Sequence, residues 1–215
     1  MFLHNPKMMY RVRVDEPNPA FAKVLLAQFC GPEGELAAAM RYFNEGWNEP
    51  DGARRGALLD IATEELAHLE MVAQTLSMLL RGSPSELVEQ VEGSYLGDLL
   101  NDDVRDCFEM PVNSGSAMGG DEDGGPRRTD SMSLPWTAAH VAYIDTPEQL
   151  VVDLHSDIAA GARAATRCEH LIKQCDDAGC KDTLSLVMNR EVAHQKMFQA
   201  DLDSILQGLG QEVPT

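Results

Sequence analysis

The chain has 215 residues, enough for one domain with a full core, and its apolar fraction of 44% fits a soluble globular protein. Its 17 basic and 35 acidic side chains leave a net charge of −18, which repels phosphate backbones and anionic bilayers and excludes nucleic acid and membrane as expected partners. Five cysteines, an odd number without a Cys-x-x-Cys pair, argue against a disulfide framework or a zinc ribbon and for a reducing cytoplasm as the expected setting.

Residues 1–19 read as an extended arm: Pro17 and Pro19 resist helix, and Tyr10-Arg11-Val12-Arg13-Val14 alternates like a strand. Charges and prolines stand there where an export signal needs a continuous apolar run, and no window of the chain reaches membrane-spanning length. A first helix is expected over 20–47, where Phe21, Val24, Leu25, Phe29, Leu36 and Phe43 recur at helical spacing, with Gly31-Pro32 bending or loosening its middle. The turn Asn48-Glu49-Pro50-Asp51-Gly52 leads to a second helix over 53–80. Residues 82–146 hold a short helical stretch near 85–92 and the passage Met118-Gly119-Gly120-Asp121-Glu122-Asp123-Gly124-Gly125-Pro126, whose composition cannot build a core and predicts a surface crossover. A third helix is expected over 147–175, with Thr146 as N-cap and Pro147 in its first turn, and a fourth over 180–206. Two helix pairs joined by one long crossover give an all-α, ferritin-like four-helix bundle as a single domain over 1–215.

Two four-residue phrases carry the chemistry, Glu65-Leu66-Ala67-His68 in the second helix and Glu191-Val192-Ala193-His194 in the fourth. Residues three apart share a helix face, so each phrase can aim a carboxylate and an imidazole into the bundle, the arrangement by which such bundles hold two metal ions together with one glutamate from each remaining helix. A lone Glu-x-x-His is more often a surface pair; two, with Glu35 thirty residues before Glu65, reverse those odds. The same spacing from Glu191 falls on position 161, which is glycine, a residue costing about 1 kcal/mol against alanine inside a helix. Asp157, one turn earlier on that face, is the preferred substitute ligand, because the absent Cβ at 161 leaves room beside it. Glu169 lies about 12 Å along the axis from 161, too far for direct ligation. From spacing alone Tyr42 reads equally as a core tyrosine or as a hydroxyl donor to Glu35. His4, His140, His155 and His170 lack such context and read as surface or structural, and the methionines as core filler.

With these residues in view, the chain resembles the manganese (non-haem) catalases over nearly its whole length. The resemblance rests on the Tyr10–Val14 arm, on Gly34-Glu35-Leu36-x-Ala38-Ala39-Met40-x-Tyr42, on Asp60-Ile61-Ala62-Thr63-Glu64-Glu65-x-x-His68-x-Glu70, on Pro135-Trp136 and Asp153-Leu154, and on Asn189-Arg190-Glu191-x-x-His194. It implies disproportionation of hydrogen peroxide at two manganese ions, with Glu35 and His68 on one ion, Glu65 bridging, His194 on the other, and Glu191 handling protons just outside. It implies Tyr42 bonding Glu35, and a homohexameric, cytoplasmic enzyme of oxidative stress defence. The family's third-helix glutamate aligns with Gly161, and the asparagine of the same motif with Asp157, so the second ion and the level of activity are open. The alternative is a non-catalytic or metal-storing ferritin-like protein with an incomplete site. A di-iron oxidase is a third reading, against which the absent fourth carboxylate counts.

Overall fold

The computed structural model describes residues 7–31, 34–81 and 147–210, so Thr146, His4, His140 and the expected crossover over 82–146 lie outside the described residues. Within them stand five helices: α1 (Pro19–Cys30), α2 (Glu35–Asn48), α3 (Gly52–Leu79), α4 (Pro147–Gln174) and α5 (Ala178–Gly208). α2 packs chiefly on α3 and α4 on α5, α3 meets α5 across the centre, and α1 lies on α3. Connections of a few residues between α2 and α3, and between α4 and α5, make each pair an antiparallel hairpin. This is the all-α bundle of the ferritin-like class.

The helix expected over 20–47 is two helices. Proline at 32 disfavours the helical region for the residue before it, and Gly31 is accordingly extended, with ψ 170°. A Cβ at Gly31 would stand 2.4 Å from the Ala27 carbonyl oxygen, and one at Gly34 would stand 2.7 Å from that of Gln28, so the chain can turn this tightly only with glycine at both places. The break makes Glu35 the first residue of α2, where the positive end of the helix dipole favours a carboxylate.

Helix starts follow their sequence signals. Asn18 accepts from the Phe21 amide with Pro19 at the first position of α1, Asp51 accepts from the Ala53 and Arg54 amides, and Asp177 accepts from the Cys180 amide. Asp177 also takes the Asp15 amide at 2.6 Å, so one side chain caps α5 and clamps the arm. The arm is extended, lies on its own chain and buries Val12 against Met71, Cys168 and Val187. In the α2–α3 turn, fully buried Glu49 receives the Arg54 guanidinium at 3.0 and 3.1 Å.

Along the inward stripe of the long helices the residues change from apolar to polar and back. One apolar cluster joins Leu58, Ile61, Leu154, Phe198, Leu202 and Ile205 at one end. Another joins Phe21, Leu25, Leu76, Leu79, Leu171 and Leu184 at the other. Between them α3 presents Glu65 and His68, α5 presents Glu191 and His194, and α4 presents Asp157 and Gly161, all buried. No helix among the described residues is long and apolar enough to cross a membrane.

Candidate metal centre

Glu35, Glu65, His68 and Glu191 each offer a ligand atom, and these four atoms lie within 4.8 Å of one another, all buried. Glu65 is the pivot: Oε2 lies 2.9 Å from His68 Nδ1, and Oε1 lies 2.9 Å from His194 Nδ1. Glu35 Oε2 and Glu191 Oε1 close on His68 Nδ1 at 3.5 and 3.6 Å. The two imidazoles are nearly parallel, centroids 5.8 Å apart. One carboxylate thus faces both imidazoles with one oxygen each, and two further carboxylates flank it.

The electrostatics of this layer ask for a cation. Burial, reinforced by repulsion from Glu65 and Glu191, pushes the Glu35 carboxyl up to about 8 despite its contact with His68. Burial likewise raises Glu191. Burial also acts to raise Glu65, but the two imidazoles outweigh it and bring that carboxyl down to about 2. For both histidines burial favours the neutral ring, yet the surrounding carboxylates hold His68 and His194 above the ordinary imidazole value. Glu65 Oε1 and His194 Nδ1 face each other at 2.9 Å without the geometry of a hydrogen bond, and His68 Nε2 has no hydrogen bond either; all three atoms are buried. Buried polar atoms ordinarily have partners, and glutamate oxygens beside imidazole nitrogens are the donor set of a divalent transition metal. The residues present therefore fit a metal pair centred on Glu65.

Three contributors to this layer escaped the sequence reading. Gln28, buried on α1, donates from Nε2 to Glu35 Oε1 at 2.6 Å. Glu64 stands behind both histidines, 3.1 Å from His194 Nε2 and 3.8 Å from His68 Nε2. Arg190 grips Glu64 with Nε and Nη2, the latter at 2.8 Å. The neighbouring His68 ring, with the hydrogen bonds from Arg190 and His194, holds Glu64 well below the ordinary carboxylate range, so it is an anion shared by the outer edges of both rings. Its signal was in the sequence: Glu64 precedes His68, and Arg190 precedes His194, by four residues, one full turn.

The other expected residues fall as follows. Tyr42 is buried with its ring 5.1 Å from that of Phe198, and Glu35 takes its side-chain amide donor from Gln28. Asp157 is buried, but it stands outside the four-residue group, beside Glu45 and Asp153 with Arg41 Nη1 at 4.0 Å. Burial raises its carboxyl to about 6, and neither oxygen has a hydrogen-bond partner. The room expected beside Gly161 is partly filled: a Cβ there would meet Gln195 Cγ at 2.9 Å and the Glu191 carbonyl oxygen at 3.6 Å. Glu169 is exposed and paired with Lys173 at 2.6 Å, and His155 and His170 are exposed. A small cavity of about 30 Å³ opens beside the cluster, lined among others by Glu35, Arg41, Tyr42 and Glu191.

Known proteins share this architecture and sequence. The family model described as manganese containing catalase matches residues 1–215. Protein CotJC of Bacillus subtilis is 35% identical over 93% of this chain and 92% of its own length. A probable manganese catalase of Clostridium acetobutylicum is 31% identical over 95% of this chain and 81% of its own. The crystal structure of KatB, a manganese catalase from Anabaena, superposes with a TM-score of 0.64 at 31% identity, covering 95% of this chain and 81% of that one. With a match along its full length and relatives above 30% identity on nearly all of it, the chain belongs to the manganese-containing catalase family.

Proposed function

We propose that the protein disproportionates hydrogen peroxide to water and dioxygen at a manganese pair held by Glu35, Glu65, His68 and His194, with Glu191 as the proton-handling residue. The observation that carries this reading is Glu65 itself, which presents one oxygen to each of two imidazoles 5.8 Å apart. The family uses a dinuclear manganese site, and this chain offers Glu35, Glu65, His68 and Glu191 as a candidate metal group. A bound manganese pair supplies two-electron redox cycling, by which two peroxides become two waters and one dioxygen.

The protein's own residues supply the rest. Glu65 sets the spacing of the two halves. Glu64, anchored by Arg190, accepts from the outer Nε2 of His194 and fixes its ring with Nδ1 inward. Glu191, raised by burial and placed at the edge of the cluster, can hold at its carboxyl oxygen the proton that peroxide gives up and return it to the departing water. The apolar clusters above and below keep bulk water from the layer.

A test is dioxygen release from peroxide by manganese-loaded protein, counted against metal per chain; turnover no greater than that of free manganese would overturn the assignment. A second reading, a metal-storing or non-catalytic member, is favoured by one observation, that α4 brings glycine rather than a carboxylate to the layer. One ion or none per chain without turnover would select it. The resemblance also carries a cytoplasmic homohexamer, which sedimentation of the purified protein tests.

A further inference from the structure

We propose that Gln28 is a binding and positioning residue of this site: its amide nitrogen sets the orientation of Glu35, and its amide oxygen receives hydrogen peroxide in the cavity beside the cluster. The proposal deepens the peroxide reading above, on which its choice of ligand rests, by assigning a residue of α1 to the site.

The backbone brings Gln28 there. In an unbroken helix, residues seven apart share a face but stand about 10 Å apart along the axis. The break between α1 and α2 folds the end of α1 back, so that Gln28 Nε2 reaches Glu35 Oε1 at 2.6 Å, both side chains buried. The turn that makes this contact tolerates no Cβ at Gly31 or Gly34. The hydrogen bond engages one oxygen of Glu35 and leaves the other, Oε2, 3.5 Å from His68 Nδ1. Gln28 thereby selects the oxygen of Glu35 that faces the cluster.

The other end of the carboxamide has no partner in the protein. Gln28 Oε1 is buried without a hydrogen bond. Buried polar atoms ordinarily have a partner, so an orphaned acceptor beside a cavity marks the place of a donor from outside the chain. Gln28, Glu35 and Glu191 all line the cavity of about 30 Å³. Arg41 and Tyr42 line it too, and neither donates to Gln28 Oε1. Of the two polar atoms of the Gln28 side chain, Nε2 is taken by Glu35, so Oε1 is the one left for whatever enters.

Size and chemistry then narrow the ligand. At about 10–15 Å³ for each water, the cavity holds roughly two waters or one molecule of the size of hydrogen peroxide. An amide oxygen only accepts, so it selects a ligand bearing O–H. Peroxide offers one O–H to Gln28 and keeps its second for a carboxylate, Glu35 or Glu191, in the lining of the same cavity.

The experiment uses metal-stripped full-length protein, in which peroxide can bind without turnover, with its glutamine side chains isotope-labelled for NMR. The Gln28 carboxamide signal, assigned as the one missing from Gln28→Met, should shift saturably as hydrogen peroxide is added. The bulkier tert-butyl hydroperoxide should leave it in place. In the manganese-loaded enzyme, Gln28→Met should raise the KM for peroxide about three- to tenfold, as the loss of one hydrogen bond requires, and lower kcat by less. It should also weaken the ion held by Glu35 by about tenfold or more, since Glu35 loses the partner that orients it. A purely structural Gln28 would lower kcat and stability without moving KM. Should Gln28→Met fail to fold, Gln28→Asn, whose amide is drawn back by one carbon, serves for the assignment and for the same KM comparison. A Gln28 signal that moves without saturating, that moves equally with both peroxides, or a KM left unchanged would overturn the role of Gln28 and leave the manganese assignment standing. Saturable binding to the metal-free protein with no turnover after loading would uphold peroxide binding at Gln28 and overturn the catalase reading.

Discussion

Replacing Glu64 tests whether the residues behind the histidines prepare the centre. Glu64 lies 3.1 Å from His194 Nε2 and 3.8 Å from His68 Nε2, so it makes one charge-assisted hydrogen bond and one longer Coulombic contact. Hydrogen bonds to charged groups contribute about 1.5–3 kcal/mol. Loss of such an outer partner of a metal-bound imidazole lowers metal affinity by about 10–100-fold. The unequal distances split this loss: Glu64→Ala should weaken the ion on His194 toward the upper figure and the ion on His68 by only a few fold. Glu64→Gln keeps an acceptor at the right place without the charge, and should fall between wild type and alanine. Calorimetric manganese titration gives the two affinities, and nitrogen NMR of the metal-free protein, at a pH high enough to leave the His194 ring neutral, gives its tautomer, which should become mixed in the alanine variant. If both variants hold both ions within about twofold of wild type and keep a single tautomer, Glu64 does not orient the rings.

Metal-free protein should lose stability as pH rises from 6.5 to 8. Glu35, pushed up to about 8, and His68 and His194, held above the ordinary value, all keep protons in the fold that the unfolded chain releases. Manganese displaces those protons, so its apparent affinity should climb over the same window, which calorimetry in buffers of different ionisation enthalpy will show as proton release. Asp177→Ala should cost about 1 kcal/mol for the lost cap and free the arm amides of Asp15 and Glu16 to hydrogen exchange. Because its hydrogen bonds to the Cys180 and arm amides outweigh burial and lower its carboxyl, that contribution is full above the ordinary 3.8 and is lost progressively as pH falls from there through the depressed value. Gly31→Ala, whose Cβ would meet the Ala27 carbonyl oxygen at 2.4 Å, should destabilise by about 1–3 kcal/mol in a denaturant melt and weaken metal binding through Glu35.

What could be read before folding was whatever helix periodicity fixes locally. Residues at i and i+3 share a face in any helix, so Glu65 with His68, and Glu191 with His194, point together whatever packs against them. The thirty-residue spacing from Glu35 to Glu65 is likewise a property of two antiparallel helices joined by a short turn. Registers between helices are another matter. Asp157 lies on the expected face of α4, but whether it meets Glu35 or Glu45 depends on how far α4 slides along α2, and Arg41 and Glu45 one to three turns into α2 are what it meets. Gln28 was hidden for a related reason: only the break at Gly31 folds the end of α1 back over the start of α2, and a continuous helix over 20–47 would carry it away from Glu35. Glu64 and Arg190 were legible in principle, since each stands four residues before a histidine, but each lies one residue outside its four-residue phrase, and only the packing of α3 on α5 brings them together.

The layered stripe explains how such a centre survives in a fold of marginal stability. Burying Glu35, Glu65 and Glu191 together is unfavourable without a cation, as the raised Glu35 and Glu191 carboxyls show. The helices are nevertheless held at that level by apolar clusters on either side, Leu154 and Phe198 toward one end and Leu76 and Leu184 toward the other. Those clusters fix the helices before any ion arrives, and Glu64 with Arg190 fixes His194. The cost of the polar layer is therefore met by packing elsewhere, and ion binding relieves a strain the fold already sustains. On this account the substitution at 161 is tolerable for folding: a glycine removes a fourth buried carboxylate from a layer already rich in them, so the metal-free chain gains stability where the loaded chain loses a ligand. Gly161→Glu should accordingly lower the melting temperature of the metal-free protein and raise that of the manganese-loaded one, and a shift of the same sign in both would refute the balance.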